Sequence, residues 1–151
     1  MNKPILGITM GDPFGNGPEI TVKALSDGGL YQRCRPVVIG DVCCMERAAA
    51  VLELRGGPRV SVRGIRDVRQ AQFRPGTIDV YDDQSIVTTD TLSVATNSDI
   101  VIELIGGTTV ARKFVLAAIE SGASVVTANK ALLAKYGPEI YSAAEAKGVD
   151  I

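Results

Sequence analysis

The chain has 151 residues, of which 46% are hydrophobic, and its 16 basic and 17 acidic residues leave a net charge of −1. These values describe one ordinary soluble domain that can bury a core, and they leave no room for two domains with an active-site cleft between them. Because the charge is nearly balanced, no long-range field attracts nucleic acid or an anionic membrane, and neither is an expected partner.

The sequence contains no histidine. Since histidine is the commonest acid–base catalyst at neutral pH and the commonest zinc ligand, Ser-His-Asp and Cys-His catalysis are excluded, and no metal site is predicted. The three cysteines, Cys34, Cys43 and Cys44, lack CxxC spacing and are predicted to be reduced, buried thiols. No secretory signal is recognisable, and no apolar run approaches the roughly 18 residues of a membrane span, so we expect a cytoplasmic protein.

The first half of the chain alternates apolar runs with amphipathic segments. Strands are predicted at residues 4–10, 36–41, 59–65 and 76–82. A helix follows the first strand, with Pro18 in its first turn and Gly28-Gly29 as its end, and another helix runs from about Val42 to Leu54. Solvated surface charges are predicted for Arg33, Arg35, Arg63, Arg66 and Arg69.

The second half repeats this alternation. A short helix is predicted at 88–97, strands at 99–107 and 123–130, and a further strand that begins at 149. The helix between the two complete strands has an apolar face and ends at Gly122; the face consists of Val110, Phe114, Val115 and Ala118. Residues 131–148 form one helix or two, with a break near Gly137-Pro138. This order predicts an α/β fold with three layers and a mostly parallel sheet, Rossmann-like in architecture.

The loop after the first strand contains Gly11, Gly15 and Gly17. Glycines at such a position let backbone N–H groups approach an anion, and the N-terminus of the next helix adds a favourable dipole. The spacing departs from the dinucleotide fingerprint GxGxxG, because GNG is followed by PEI where a third glycine is required. Asp12 and Glu19 would also repel a phosphate unless they point away. Both a phosphate cradle and a purely structural tight turn fit this loop.

A second glycine pair, Gly106-Gly107, stands before Thr108 at the carboxyl end of a predicted strand. Cofactors sit outside such strand ends in open α/β sheets, and glycine lets a flat ligand approach the backbone. Asn129 and Lys130 follow the next strand and would face the same crevice. In the alternative interpretation the glycines form only a turn, Asn129 bonds its own backbone and Lys130 caps a neighbouring loop.

The string GITMGDPFGNGPEITVKAL, followed by RPVVIGD and a second helix, resembles the N-terminal part of 4-hydroxythreonine-4-phosphate dehydrogenase. The GDPxGxGPE signature carries the resemblance, which extends through FRPGTIDVYD to cover residues 1–85. This chain has Phe14 and Asn16 where the family usually has alanine and isoleucine. The family binds its divalent metal through histidines later in a longer chain, so the resemblance implies no metal site here.

Residues 88–151 resemble the NAD(P)-binding domain of homoserine dehydrogenase, whose hallmarks are strands that end in ELIGG and TANK. The resemblance implies NAD or NADP as a cofactor and places Lys130, as the catalytic residue, on the cofactor and substrate side of the cleft. Glu103 is expected to be a strand residue or a support. The predicted cofactor-binding residues are Gly11, Gly15, Gly17, Gly106, Gly107, Thr108 and Asn129.

The two resemblances together predict a fusion of two partial dehydrogenases within one domain, residues 1–151, with a seam near 82–88. Since neither family's substrate domain is present, the leading hypothesis is an NAD(P)-binding domain that binds its cofactor weakly and is incomplete for catalysis. Two alternatives stay open: a structural or engineered fragment that binds nothing, and an active oxidoreductase on homoserine or phosphorylated hydroxythreonine. The choice between NAD and NADP, and homo-oligomerisation, are also open.

Overall fold

The computed structural model describes residues 3–82 and 97–151, so the helix predicted at 88–97, apart from its last residue, and most of the seam predicted at 82–88 lie outside the described residues. The strands are β1 (Ile5–Thr9), β2 (Arg35–Ile39), β3 (Ser61–Ile65), β4 (Thr77–Tyr81), β5 (Ile100–Glu103) and β6 (Ser124–Thr127). The helices are α1 (Gly17–Leu25), α2 (Leu30–Arg33), α3 (Val42–Leu54), α4 (Thr109–Glu120) and α5 (Lys130–Lys147), with a 3₁₀ helix at Val68–Gln70.

The described strands form one sheet in the order β3-β4-β2-β1-β5-β6, and each pair of neighbours is parallel. From β1 the chain first moves to β2 on one side, and it later returns to β5 on the other side. The sheet therefore reverses its direction of growth between β1 and β5. Open α/β sheets bind ligands at the carboxyl ends of the two strands at such a switch point.

Side chains along the strands alternate between two helical layers. Ile8, Val38 and Val80 pack against α1 and α3 on one face, whereas Val37, Val101 and Val125 pack against α4 and α5 on the other. Because both faces are covered, the central strands are apolar on both sides, which is typical of parallel sheets. The prediction of a three-layer, Rossmann-like α/β fold is confirmed.

Several predicted boundaries differ from the structure. Helix α1 ends at Leu25, before the glycine pair at 28–29. Strand β5 ends at Glu103, and the predicted continuation to 107 is wrong because Gly106 and Gly107 have φ values of +75° and +64°, which a strand cannot contain. On α4, Ala111 is buried where Val110 was predicted, while the rest of the apolar face is confirmed.

Residues 130–147 form the single helix α5, with Pro138 inside it. Proline removes one N–H, and the carbonyl that loses its partner belongs to Ala134. Ala134 and Pro138 are both exposed, so water can satisfy that carbonyl. Leu132 and Ile140 are fully buried on the two sides of the proline and hold both halves of the helix on the sheet. The predicted break is therefore absent.

Residues 149–151 are not a strand, although the Val125 N–H donates to the Asp150 carbonyl at 2.9 Å.

The cysteines are unpaired, and Cys34 and Cys44 are buried as predicted. Cys43 is exposed, which corrects its prediction: successive helical residues differ by about 100° around the axis, so only one of the adjacent thiols on α3 faces the sheet. Within the described ranges, every helix is too short or too polar to span a bilayer.

Tyr31 links α2 to β4, because its buried hydroxyl donates to the Thr77 carbonyl at 3.1 Å. Burial, with a smaller contribution from Asp79, raises the pKa of Tyr31 to about 12 from 10.0. The stability linked to this proton is present below pH 10 and is lost as the pH rises through 12. In an alkaline ultraviolet titration, Tyr31→Phe should remove the ionisation near pH 12 and flatten the loss of stability in that range. Exposed Tyr141→Phe should change neither; an unchanged alkaline slope in Tyr31→Phe would contradict the assignment.

Candidate nucleotide site at the switch point

The loops that follow β1 and β5 are in direct contact. The Leu104 N–H donates to Thr9 Oγ1 at 2.6 Å, and Thr9 is only 3% exposed. Gly11 has φ +81°, and a Cβ at this position would lie 2.6 Å from the Leu104 carbonyl oxygen. Position 11 therefore requires glycine for both its conformation and its close approach to the second loop.

The first loop is compact and places the start of α1 over the end of β1. A Cβ at Gly17 would lie 2.4 Å from the Met10 carbonyl oxygen. Asp12 closes the turn, since its Oδ1 accepts the Phe14 N–H at 2.9 Å and its carbonyl accepts the Gly15 N–H at 3.0 Å. Gly17 thus serves close packing, whereas Gly15 belongs to an exposed turn.

The two acidic side chains of this segment are oriented differently. Glu19 pairs with Arg55 at the end of α3, with 3.0 Å between Oε2 and Nη1. Its charge is thereby directed toward α3. Asp12 is exposed and its carboxylate stays within the loop, where it opposes the approach of an anion.

The second loop presents an open glycine surface. Among the described residues, no atom beyond the immediate chain neighbours lies within 4 Å of a Cβ built on Gly106 or Gly107, and both residues are exposed. Beneath them, the Glu103 side chain is 1% exposed; its Oε1 accepts the Gly106 N–H at 3.0 Å and its Oε2 accepts the Thr127 hydroxyl at 2.6 Å. Glu103 is therefore a support residue, in agreement with expectation.

Asn129 joins the second loop to α5. Its Nδ2 donates to the Gly107 carbonyl at 2.7 Å, and its Oδ1 accepts the Leu132 N–H at 3.0 Å and so caps the helix. Lys130 is the exposed first residue of α5. Among the described residues its ammonium group has no hydrogen bond and no ion pair. The structure thus brings Asn129 against Gly107, with Lys130 next to them.

The helix N-termini differ in how they are capped. Helices α1 and α4 begin at the switch point, and neither Asn16 nor Thr108 makes a side-chain cap hydrogen bond. Helix α3 is capped by Asp41, whose Oδ1 accepts the Cys44 N–H at 2.6 Å, and α5 is capped by Asn129. In the part of the chain that the structure describes, the first-turn N–H groups of α1 and α4 therefore lack side-chain acceptors. Both positive helix ends follow the adjacent strands β1 and β5, an arrangement suited to an anion.

The sequence did not reveal the two threonines that hold this site. Thr9 ends β1 and Thr127 ends β6, and each hydroxyl bonds a group from another part of the chain. A threonine as the last residue of both strands was the available signal. In residues 3–82 and 97–151, no group of three or more Cys, Asp and Glu side chains is arranged to hold a metal ion.

Comparison with known proteins shows two sets of relatives. Residues 49–151 match the family model described as homoserine dehydrogenase, NAD binding domain. D-threonate 4-phosphate dehydrogenase of Cupriavidus necator is 43% identical over 79 residues, which are 52% of this chain and 22% of that protein. 4-Hydroxythreonine-4-phosphate dehydrogenase of Desulforapulum autotrophicum is 44% identical over 79 residues, with the same coverage of both chains.

A solved structure adds a match at the level of the fold. The crystal structure of a 4-hydroxythreonine-4-phosphate dehydrogenase from Burkholderia phymatum covers all of this chain with a TM-score of 0.56 and 30% identity, and the match covers 46% of that chain. The chain spans less than a quarter of the length of the two curated relatives.

These findings confirm both predicted resemblances. The matched lengths together exceed the length of the chain, so the two resemblances overlap within it. The family model covers more than half of the residues. The chain therefore belongs to the family of homoserine dehydrogenase NAD-binding domains.

Proposed function

We propose that this domain binds a nicotinamide dinucleotide at the switch point between β1 and β5. The observation that carries the proposal is the absence of side-chain caps on α1 and α4, beside the capped α3 and α5. A pyrophosphate would supply the missing acceptors for both helices. The family match supports a dinucleotide rather than another anion.

The predicted cofactor-binding residues have distinct roles in this proposal. Gly106 and Gly107 offer open backbone to the ligand, and Thr108 is the N-cap residue of α4, whose N-terminus receives the pyrophosphate. Gly11 keeps the first loop close to the second, and Gly17 keeps the start of α1 close to the end of β1, while Gly15 lies in the exposed turn. The carboxylate of Asp12 lies in the first loop and lowers the affinity for an anion. We therefore expect weak binding.

We further propose that the domain is incomplete for catalysis. The nicotinamide would supply the hydride chemistry, and Lys130 would orient or polarise a substrate oxygen. No general base accompanies Lys130 among the described residues of the site, since Glu103 is buried in two hydrogen bonds and Asp12 is engaged in its own turn. The chain lacks histidine altogether.

We also propose that residues 1–151 form one domain with a junction between two segments near 82–88. Strands β1, β2 and β4 precede this position and β5 follows it, yet β1 pairs with β5 in the same sheet. If two segments were joined at this place, the backbone hydrogen bonds between β1 and β5 would hold them together in one sheet. Intact mass, compared with the full coding sequence, tests whether the chain was joined or truncated.

Calorimetric titration with NADH and NADPH tests the nucleotide site. We expect a dissociation constant between roughly 0.1 and 1 mM for at least one of them, and weaker binding as salt is added, because the ligand is an anion. AMP serves as a control without the pyrophosphate bridge and should bind more weakly. If neither dinucleotide gives heat at millimolar concentration, the proposed function is wrong and the chain is a fragment that binds no nucleotide.

Replacing Lys130 should change stability and binding in opposite directions. Its positive charge lies at the positive end of α5, so Lys130→Gln should raise the free energy of unfolding by about 0.5 kcal/mol. The same change should weaken NADH binding by about threefold, since one favourable charge is lost. Lys113→Gln, on the exposed side of α4, is the matched control and should change neither quantity. Unchanged NADH affinity in Lys130→Gln would show that Lys130 is a surface charge without a role in binding.

A further inference from the structure

A closed ring of hydrogen bonds lies beneath the two-glycine turn. Glu103 accepts from the Gly106 N–H at 3.0 Å and from the Thr127 hydroxyl at 2.6 Å. The same Thr127 oxygen accepts the Asn129 N–H at 3.0 Å, and Asn129 Nδ2 returns to the Gly107 carbonyl at 2.7 Å. The ring thus connects the end of β5, the glycine turn, the end of β6 and the residue that caps α5.

The direction of each hydrogen bond in the ring is determined by its chemistry. A carboxylate can only accept, so the single Thr127 hydrogen must be donated to Glu103, and the Thr127 oxygen remains an acceptor for Asn129. Glu103 is 1% exposed and has no ion-pair partner among the described residues. Its charge is balanced by hydrogen bonds alone, so the loss of either donor would leave a buried oxygen unpaired.

We infer that Glu103, Thr127 and Asn129 form a positioning ring that holds the Gly106–Gly107 turn and the start of α5 at one separation. Two consecutive glycines in the left-handed conformation have a large conformational entropy to lose when they are ordered. The ring orders them before a ligand arrives and so lowers the cost of binding. This inference rests on the proposed nucleotide site. The ring then also fixes the position of Lys130, at the start of α5, relative to the glycine turn.

Three variants test the ring through NADH affinity. Thr127→Val removes the central hydroxyl, and Thr127→Ser restores it. Asn129→Ser keeps an oxygen that can cap α5 but removes the donor to Gly107. We expect Thr127→Val and Asn129→Ser to weaken NADH binding by about 5- to 10-fold and Thr127→Ser to stay within about twofold of the unmodified chain.

The double variant shows whether the bonds act as a unit. Once the ring is open, a second break should add little, so Thr127→Val with Asn129→Ser should bind NADH about as weakly as the weaker single variant. Two effects that multiply in the double variant would overturn the inference, because independent structural contacts behave in that way. A failure of Thr127→Ser to restore affinity would overturn it as well.

Amide hydrogen exchange in the ligand-free chain tests the ring without any nucleotide. Asn129→Ser should accelerate exchange at residues 106–110 at least fivefold and leave α3 unchanged. This measurement remains decisive if Thr127→Val does not fold, because Asn129→Ser retains the helix cap. Unchanged exchange at 106–110 would overturn the ring. An absence of NADH binding in the unmodified chain would overturn the proposed function instead, so the two failures are distinguishable.

Discussion

Gly11→Ala is expected to lower the free energy of unfolding by about 3 kcal/mol, measured by urea denaturation followed by circular dichroism. The left-handed φ of +81° costs an alanine about 1–2 kcal/mol. The new Cβ would also lie 2.6 Å from the Leu104 carbonyl oxygen, a backbone atom that the Thr9–Leu104 hydrogen bond holds in place. Moving the two loops apart would cost a further amount, about 1–3 kcal/mol.

Two glycines provide matched controls for this result. Gly76 has φ +80° and Gly106 has φ +75°, and within residues 3–82 and 97–151 no atom beyond the chain neighbours lies within 4 Å of a Cβ at either position. Alanine at each should therefore cost only what the left-handed backbone conformation costs, about 1–2 kcal/mol. Gly106→Ala should in addition weaken NADH binding, while Gly76→Ala should not. Equal destabilisation by Gly11→Ala and Gly76→Ala would show that the close contact between Gly11 and Leu104 adds nothing to the cost of the substitution.

Asp79→Ala is expected to destabilise the protein by a similar amount, about 3 kcal/mol. Asp79 is 2% exposed; its Oδ1 pairs with Arg63 Nη1 at 2.8 Å, and its Oδ2 accepts the N–H groups of Gln72 and Phe73 at 2.8 and 2.9 Å. Phe73 has φ +52°, so this carboxylate stabilises a strained turn before β4. Alanine would leave both N–H groups without their acceptor.

The Asp79 pair also corrects the prediction that Arg63 is a solvated surface charge. Its side chain is partly buried, and Nη2 donates to the Gln70 carbonyl at 2.8 Å in addition to the contact with Asp79. Glu120→Ala provides the comparison, because Glu120 pairs with Lys147 in an exposed position, and it should change stability by no more than about 0.5 kcal/mol. A cost below about 1 kcal/mol for Asp79→Ala would mean that other contacts hold the turn.

The elements of this fold were predictable where a local pattern determines them. The predicted bounds of α3 agree with the structure, because Asp41 is a good N-cap and Gly56-Gly57 ends the apolar periodicity. The predicted strand at 99–107 was too long, since apolar side chains continue through Ile105 while the backbone has already turned. Helix α5 continues through Pro138 because Leu132 and Ile140 are buried on either side of it. The helix propensities of single residues do not include such tertiary burial.

The candidate site was predictable in its glycines but not in its supports. Gly106 and Gly107 stand beside a strand end, and that position alone indicates an exposed turn. The hydrogen bond from Leu104 to Thr9 joins residues 95 positions apart, and the one from Thr127 to Glu103 joins residues 24 positions apart. Such pairs leave no periodic trace in the sequence, because each partner is an ordinary residue of a strand or of the loop that follows it.

The amino-acid sequence by itself determined the α/β class and turns such as the one at Gly56-Gly57, because hydrophobic periodicity and glycine preferences act over a few neighbouring residues. The family followed from the resemblance of its motifs to those of known dehydrogenases. Only the tertiary structure decided that the end of β1 meets the end of β5 and that the uncapped helices α1 and α4 begin there. The physical reason is that strand order arises from burying both faces of one sheet while pairing its backbone. That requirement involves the whole chain at once.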